Sequence, residues 1–257
     1  MKKLLTPSLL LSSLVMVGCS EISDNGPKSS SDFSTGAIDA FYYFEIEDDN
    51  DVGFRVRFEH DDRALELDGG DRVEVVGGAD THSFTPVVSG SSVTYIANVE
   101  EGSTLPSNYQ FKFLRDTQQD SDNSFVSVPV AFDISAPSSE DSINAVNGRY
   151  FDIVWDANGN DNANLEMTFD FNCSRLDGTS SVSGSKTLEN VTDNGSYRVD
   201  LLEVLETSGV QTCNDFDITL LRIRTGALDL ANLNGGSIRG AQIRQVLNLT
   251  IEGISLN

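Results

Sequence analysis

Phe54-Arg55-Val56-Arg57-Phe58-Glu59 alternates apolar and charged residues without a break. Successive side chains of a β-strand point to opposite faces, so this segment sets three apolar groups on one side and three charged groups on the other. That is the pattern of a half-buried strand. Tyr109-Gln110-Phe111-Lys112-Phe113 repeats it, and Leu165, Met167, Phe169 and Phe171 alternate with Glu166, Thr168 and Asp170.

Working outward, further strand candidates run over 38–46, 72–76, 93–99 and 125–134, then over 150–155, 196–204, 216–224 and 238–251. Between them lie turn-forming clusters: 47–51, Asp68-Gly69-Gly70-Asp71, Ser89-Gly90-Ser91 and 118–123. Short strands at this spacing, punctuated by Gly, Asn, Asp and Ser, point to β-sandwiches. Pro129 inside the 125–134 candidate marks an edge or a bulge, because proline cannot donate to a ladder. Gly226 to Gly236 reads as one helical turn closed by Gly235-Gly236.

The polar stretch 136–147 (APSSEDSINAVN) reads as the connection between two sets of strands. The sets share a likeness. Val93-Thr94-Tyr95, a loop, then Tyr109-x-Phe111-x-Phe113-Leu114-Arg115 is matched by Gly195-Ser196-Tyr197, a loop, then Phe216-x-Ile218-x-Leu220-Leu221-Arg222. The expected organisation is a leader over 1–18, a tether over 19–36, and β-sandwich domains over 37–136 and 137–257. The tether segment SEISDNGPKSSSDFSTG has no apolar periodicity and is rich in Ser, Asp and Gly.

Charge narrows the function classes. Forty acidic against 17 basic residues give a net charge of −23, and loss of Lys2 and Lys3 with the leader would lower it to −25. Such a surface repels phosphate backbones, so nucleic acid is not an expected partner. It also repels anionic headgroups, so membrane attachment has to come from a lipid anchor and not from a basic face.

The first nineteen residues supply that anchor. Met1-Lys2-Lys3 is a short positive region, and 4–17 is apolar but too short and too interrupted to span a bilayer. Met16-Val17-Gly18-Cys19 then resembles the lipobox of bacterial lipoproteins, with Met16 where Leu is usual. The resemblance implies cleavage before Cys19, a diacylglycerol on its thiol, further acylation of the new amino group, and a mature chain of 239 of the 257 residues. Two or three acyl chains hold a protein stably on a membrane where one does not. Ser20 stands where Asp is associated with inner-membrane retention, so the resemblance implies a cell-envelope protein of the outer membrane.

With Cys19 lipidated, Cys173 and Cys213 remain as an even pair. In an exported protein such a pair persists as a disulfide. Closing the loop between them is expected to stabilise the fold by about 4 kcal/mol on the chain-entropy estimate.

Catalytic signatures do not emerge. The two histidines, His60 and His82, sit among charged and polar residues and read as surface groups, and no catalytic residue is assigned. No metal site is assigned either. Asp156-Ala157-Asn158-Gly159-Asn160 opens like a calcium loop, but Asp161 stands where glycine is required and Met167 where a bidentate Glu is required. That stretch and 47–51 read as Asp/Asn hairpin tips.

In layout the chain resembles the tandem Ig-like β-sandwich lipoproteins of Gram-negative bacteria. The expected fold class is all-β, with two immunoglobulin-like sandwiches in series. The expected role is a non-enzymatic envelope module that binds a protein or a glycan and needs no cofactor. A structural or assembly accessory of the envelope, and an enzyme acting on polysaccharide or peptide, are the alternative roles.

Overall fold

The computed structural model describes residues 26–47, 51–100, 104–157 and 163–256. Cys19, the leader, residues 19–25 of the expected tether and parts of both Asp/Asn loops lie outside these ranges. In chain order the first unit comprises β1 (Lys28–Ser29), β2 (Asp39–Ile46), β3 (Asp51–His60), β4 (Arg63–Glu66), β5 (Arg72–Gly77), β6 (Asp80–Ser83), β7 (Thr85–Ser89), β8 (Ser92–Glu100), β9 (Asn108–Leu114) and β10 (Ser121–Ser127). The second comprises β11 (Ile134–Ala136), β12 (Ser142–Asn144), β13 (Tyr150–Trp155), β14 (Asn164–Arg175), β15 (Ser181–Val191), β16 (Ser196–Asp200), the one-turn helix α1 (Leu201–Leu205), β17 (Val210–Thr225) and β18 (Gly235–Glu252).

Both units are sandwiches. In the first, β2-β3-β8-β7 faces β10-β9-β5-β6 across an aromatic core. Tyr42 meets Phe111 at 4.8 Å between ring centroids, and Phe58 meets Phe113 at 4.4 Å. In the second, β11-β13-β16 faces β18-β17-β14-β15, and Phe151 meets Phe216 at 5.8 Å. The alternating segments supply these rings from one face of each strand, while their charged partners point to water.

Strand order repeats between the units. β3 pairs with β8 as β13 pairs with β16; β5 pairs with β9 as β14 pairs with β17; β6 flanks β5 as β15 flanks β14. Swapping strands between two sheets in this order is the immunoglobulin-like topology. It also accounts for the sequence likeness. Tyr95 and Tyr197 lie on the matching strands β8 and β16, and Arg115 and Arg222 lie on or just past the matching strands β9 and β17.

The units are fused rather than strung. β2 pairs in parallel with the first half of β18, from Asp39 opposite Gly235 to Ile46 opposite Gln242. This merges one sheet of each unit into an eleven-stranded sheet. The loop before β18 adds a second contact. Its Leu233 is buried in the first core, and Asp229 accepts from Ser121 Oγ (3.1 Å) while its N–H donates to Ser124 Oγ (3.0 Å). The stretch read as a helical turn is this loop: it does make one turn, with the N–H groups of Asn232 and Leu233 both donating to the Asp229 carbonyl (3.1 and 3.0 Å), and the first unit's hydroxyls hold it in place.

Two further expectations are corrected. The connection between units runs over 128–133, not 136–147, because β11 and β12 already belong to the second unit. That stretch reads as polar because its strands are short and its backbone, not its side chains, carries the pairing. The tether does not extend to residue 36: β1 pairs with β4, and Ser30 and Thr35 are buried. Polar contacts hold it. The Arg115 guanidinium, fully buried, donates to the carbonyls of Ser30 (2.8 Å) and Phe33 (3.0 Å) and pairs with Asp71 at 2.8 Å. Fixing a segment through buried hydrogen bonds leaves no apolar periodicity to read.

Candidate binding site

Cys19 lies outside the described residues, and among those described the side chains singled out from the sequence do not meet in a reactive constellation. Cys173 and Cys213 form a disulfide that joins neighbouring strands β14 and β17 within the second core. His60 Nδ1 donates to the Ala37 carbonyl (2.7 Å) and its ring packs on Phe33, so it fastens the N-terminal segment. His82 stands on the short strand β6, away from His60 in the pairing order. Among the described residues, no three His, Cys, Asp or Glu side chains are grouped to hold a metal ion.

Trp155 is buried and donates through Nε1 to Asp193 (2.7 Å). Asp193 also receives Arg222, whose Nη2 donates to it at 3.0 Å. The Arg222 guanidinium lies 4.4 Å from the Phe132 ring and donates to the carbonyls of Val130 (3.0 Å) and Asp156 (2.7 Å). The second buried arginine therefore locks the inter-unit connection, as Arg115 locks the N-terminal segment. Both are structural.

What the fold leaves open is a hollow of about 650 Å³ on the second unit, between the edges of its two sheets. β15 ends one sheet and β16 ends the other, and only residues 192–195 connect them. Leu188, Val191 and Tyr197, each packed against the core from its margin, give the hollow an apolar side. Its rim is acidic: Glu189 and Glu203 line it, while Lys186 is taken up by Glu206. Burial raises the Tyr197 hydroxyl pKa, and the charges of Glu203 and Asp200 raise it further. Sequence reading missed this site because β15 (SVSGSKTLENV) carries no apolar alternation.

A second depression, about 260 Å³, lies on the outer face of the shared sheet. Phe41 and Tyr43 of β2 are flanked there by Arg55, Arg57 and Arg239. Each arginine has a carboxylate partner: Glu45 at 2.5 Å, Glu59 at 2.7 Å and Glu166 at 2.9 Å respectively. Arg57 also lies 5.0 Å from the Phe41 ring centroid. Burial, with the Glu45 charge next, pushes the Tyr43 hydroxyl up to about 12. Aromatic rings between arginine–glutamate pairs offer stacking and hydrogen bonding together.

No family model and no curated protein matches this sequence. Solved structures to which it is similar include a three-domain fragment of titin, at 9% identity and a TM-score of 0.21 over 82% of this chain. A second titin fragment, of three Ig domains, gives 8% and 0.23 over 83%, and a DUF4785 family protein from Legionella pneumophila gives 9% and 0.22 over 70%. The matches span 66%, 64% and 51% of those chains. The fold assignment therefore stands on this chain's own strand pairing.

Proposed function

We propose that this protein is a lipid-anchored component of the bacterial cell envelope that binds a partner and performs no chemistry of its own. The observation that carries the binding reading is the open hollow between β15 and β16, where apolar side chains and a free sheet edge meet at the surface. Sheet edges recruit extended segments of other proteins through main-chain hydrogen bonds. The fused sheet supports the same reading, since a rigid pair of sandwiches presents a surface without the ordering cost of a flexible one. The anchor rests on the lipobox-like Met16-Val17-Gly18-Cys19, with Cys19 as the acylated residue, and the outer-membrane address rests on Ser20 standing where Asp is associated with inner-membrane retention.

A glycan is the second reading, favoured by Phe41 and Tyr43 between their arginine–glutamate pairs. Two experiments test the proposal. Cys19→Ser is expected to move the protein from the membrane to the soluble fraction; retention on the membrane would overturn the anchor. Screening the purified full chain against peptide and glycan arrays is expected to return a specific binder. An absence of binding on both arrays, alongside turnover of any arrayed glycan or peptide, would replace the binding reading with an enzymatic one.

A further inference from the structure

The two units differ at one place where their strand order otherwise repeats. In the first unit β8 has a neighbour on each side, β3 and β7. In the second unit its counterpart β16 pairs, among the described residues, only with β13, and none of them fills the position corresponding to β7. That vacant strand position borders the 650 Å³ hollow.

The ladder fixes which backbone groups are free. Trp155 N–H donates to the Gly195 carbonyl and Leu201 N–H to the Arg149 carbonyl. In an antiparallel pair, residues alternate between turning both backbone groups to the partner and turning both away. Residues 195, 197, 199 and 201 therefore face β13, and residues 196, 198 and 200 turn their N–H and C=O groups to the open side. Ser196 N–H is already taken by Asn194 Oδ1 (3.2 Å), which leaves Arg198 at the centre of the free edge with both groups exposed. The opposite edge is protected. β15 carries Lys186 facing Glu206, and Asn190 at φ 57 sits by the register break opposite Leu165 and Met167. A charged lysine and a bulge are devices that blunt an edge against pairing.

We propose that β16 accepts an extended, basic segment of a partner protein as an added antiparallel strand, completing the second sandwich as β7 completes the first. This deepens the binding reading above and rests on it. One apolar side chain of the incoming segment would enter the hollow against Leu188, Val191 and Tyr197. Its lysines or arginines would meet Glu189 and Glu203, against which the hollow sets only Lys186, already ion-paired with Glu206. A second copy of this chain is disfavoured as occupant, since two bodies of net charge −23 repel each other.

The test uses the full-length protein and a synthetic ten-residue peptide of alternating valine and lysine. Binding is expected, with affinity falling as salt rises and falling about tenfold in the Glu189→Lys, Glu203→Lys double variant. Both glutamates are exposed, so this variant is expected to fold. Hydrogen exchange of the Arg198 amide is expected to slow at least tenfold in the complex. The same peptide N-methylated at every second residue, in the register that faces β16, is expected not to bind. Binding that survives both methylation registers, or that leaves Arg198 exchange unchanged, would overturn strand addition while leaving the protein a binding module. Failure of the valine–lysine peptide to bind, where the arrays return a different ligand, would overturn the basic-segment assignment in the same way.

Discussion

Gly236 and Ala40 face each other across the parallel seam of the two units, so closely that a Cβ on Gly236 would lie 1.9 Å from the Ala40 carbonyl oxygen. Gly236 also has φ +116, which side chains rarely adopt. Four residues on, a Cβ on Gly240 would lie 2.2 Å from the Phe44 ring. The seam is thus built on missing side chains. Gly236→Ala is expected to cost about 3 kcal/mol or more through overpacking and backbone strain. In the native chain, Trp155 fluorescence and far-ultraviolet circular dichroism should follow one urea transition. In the variant the two probes should separate, because only the second unit carries the tryptophan. Coincident curves in the variant would mean that the seam does not couple the units.

Arg115 and Asp71 form a buried pair at 2.8 Å, with Asp71 also accepting from Ser30 Oγ at 2.7 Å. Removing one partner strands the other charge in the interior, at a cost of about 3–5 kcal/mol. Arg115→Met is expected to lower stability by that amount in denaturant titration. It should also make the 28–37 segment sensitive to limited proteolysis, since its carbonyls at Ser30 and Phe33 lose their donor. The double variant Arg115→Met, Asp71→Leu should recover much of the loss.

The Cys173–Cys213 bond closes a loop of 40 residues within one core. On the chain-entropy account its removal costs about 4 kcal/mol. A reducing agent, or the Cys173→Ala, Cys213→Ala pair, should lower the melting temperature of the transition reported by Trp155. An unchanged melting temperature would show that core packing alone holds β14 to β17.

Acid should act through particular carboxylates. Asp177 is held at about 2, against an ordinary 3.8, because Ser180 Oγ and the N–H groups of Thr179 and Ser180 all donate to it. Its folded value lies below its unfolded one, so its contribution to stability is complete above the ordinary carboxylate range and disappears as pH falls toward 2. Asp200 follows the same sign: the Arg149 hydrogen bond lowers its pKa, and the Leu202 N–H adds to that. Carbon-detected titration of the Asp177 carboxylate should give a midpoint near 2 in the native chain. In Ser180→Ala the midpoint should move up.

Much of this architecture is written along the chain. The alternation in β2, β3, β9 and β14 follows from two-sided strands with one dry face, and the Tyr95–Arg115 and Tyr197–Arg222 likeness marks matching strands in both units. The even pair of cysteines announced its own partner. β15 escaped because only Val182, Leu188 and Val191 of this edge strand reach the margin of the core, too few and too irregularly spaced to read as a period. The candidate 196–204 was half right: β16 ends at Asp200, whose side chain accepts from Leu202 N–H and starts a helical turn. A local cap overrode the strand pattern there.

The sequence by itself determined the main core strands, their inward faces, the disulfide partners and the acidic surface, because each depends on side-chain order over a few residues or on simple counting. Only the tertiary structure decided that β2 lies beside β18, that residues 28–37 are pinned by Arg115, and that among the described residues β16 lacks the neighbour β8 has. Those relationships join residues far apart in the chain through backbone hydrogen bonds and buried charges. Main-chain groups are the same at every position, so the sequence carries no local mark of which distant strand they will meet.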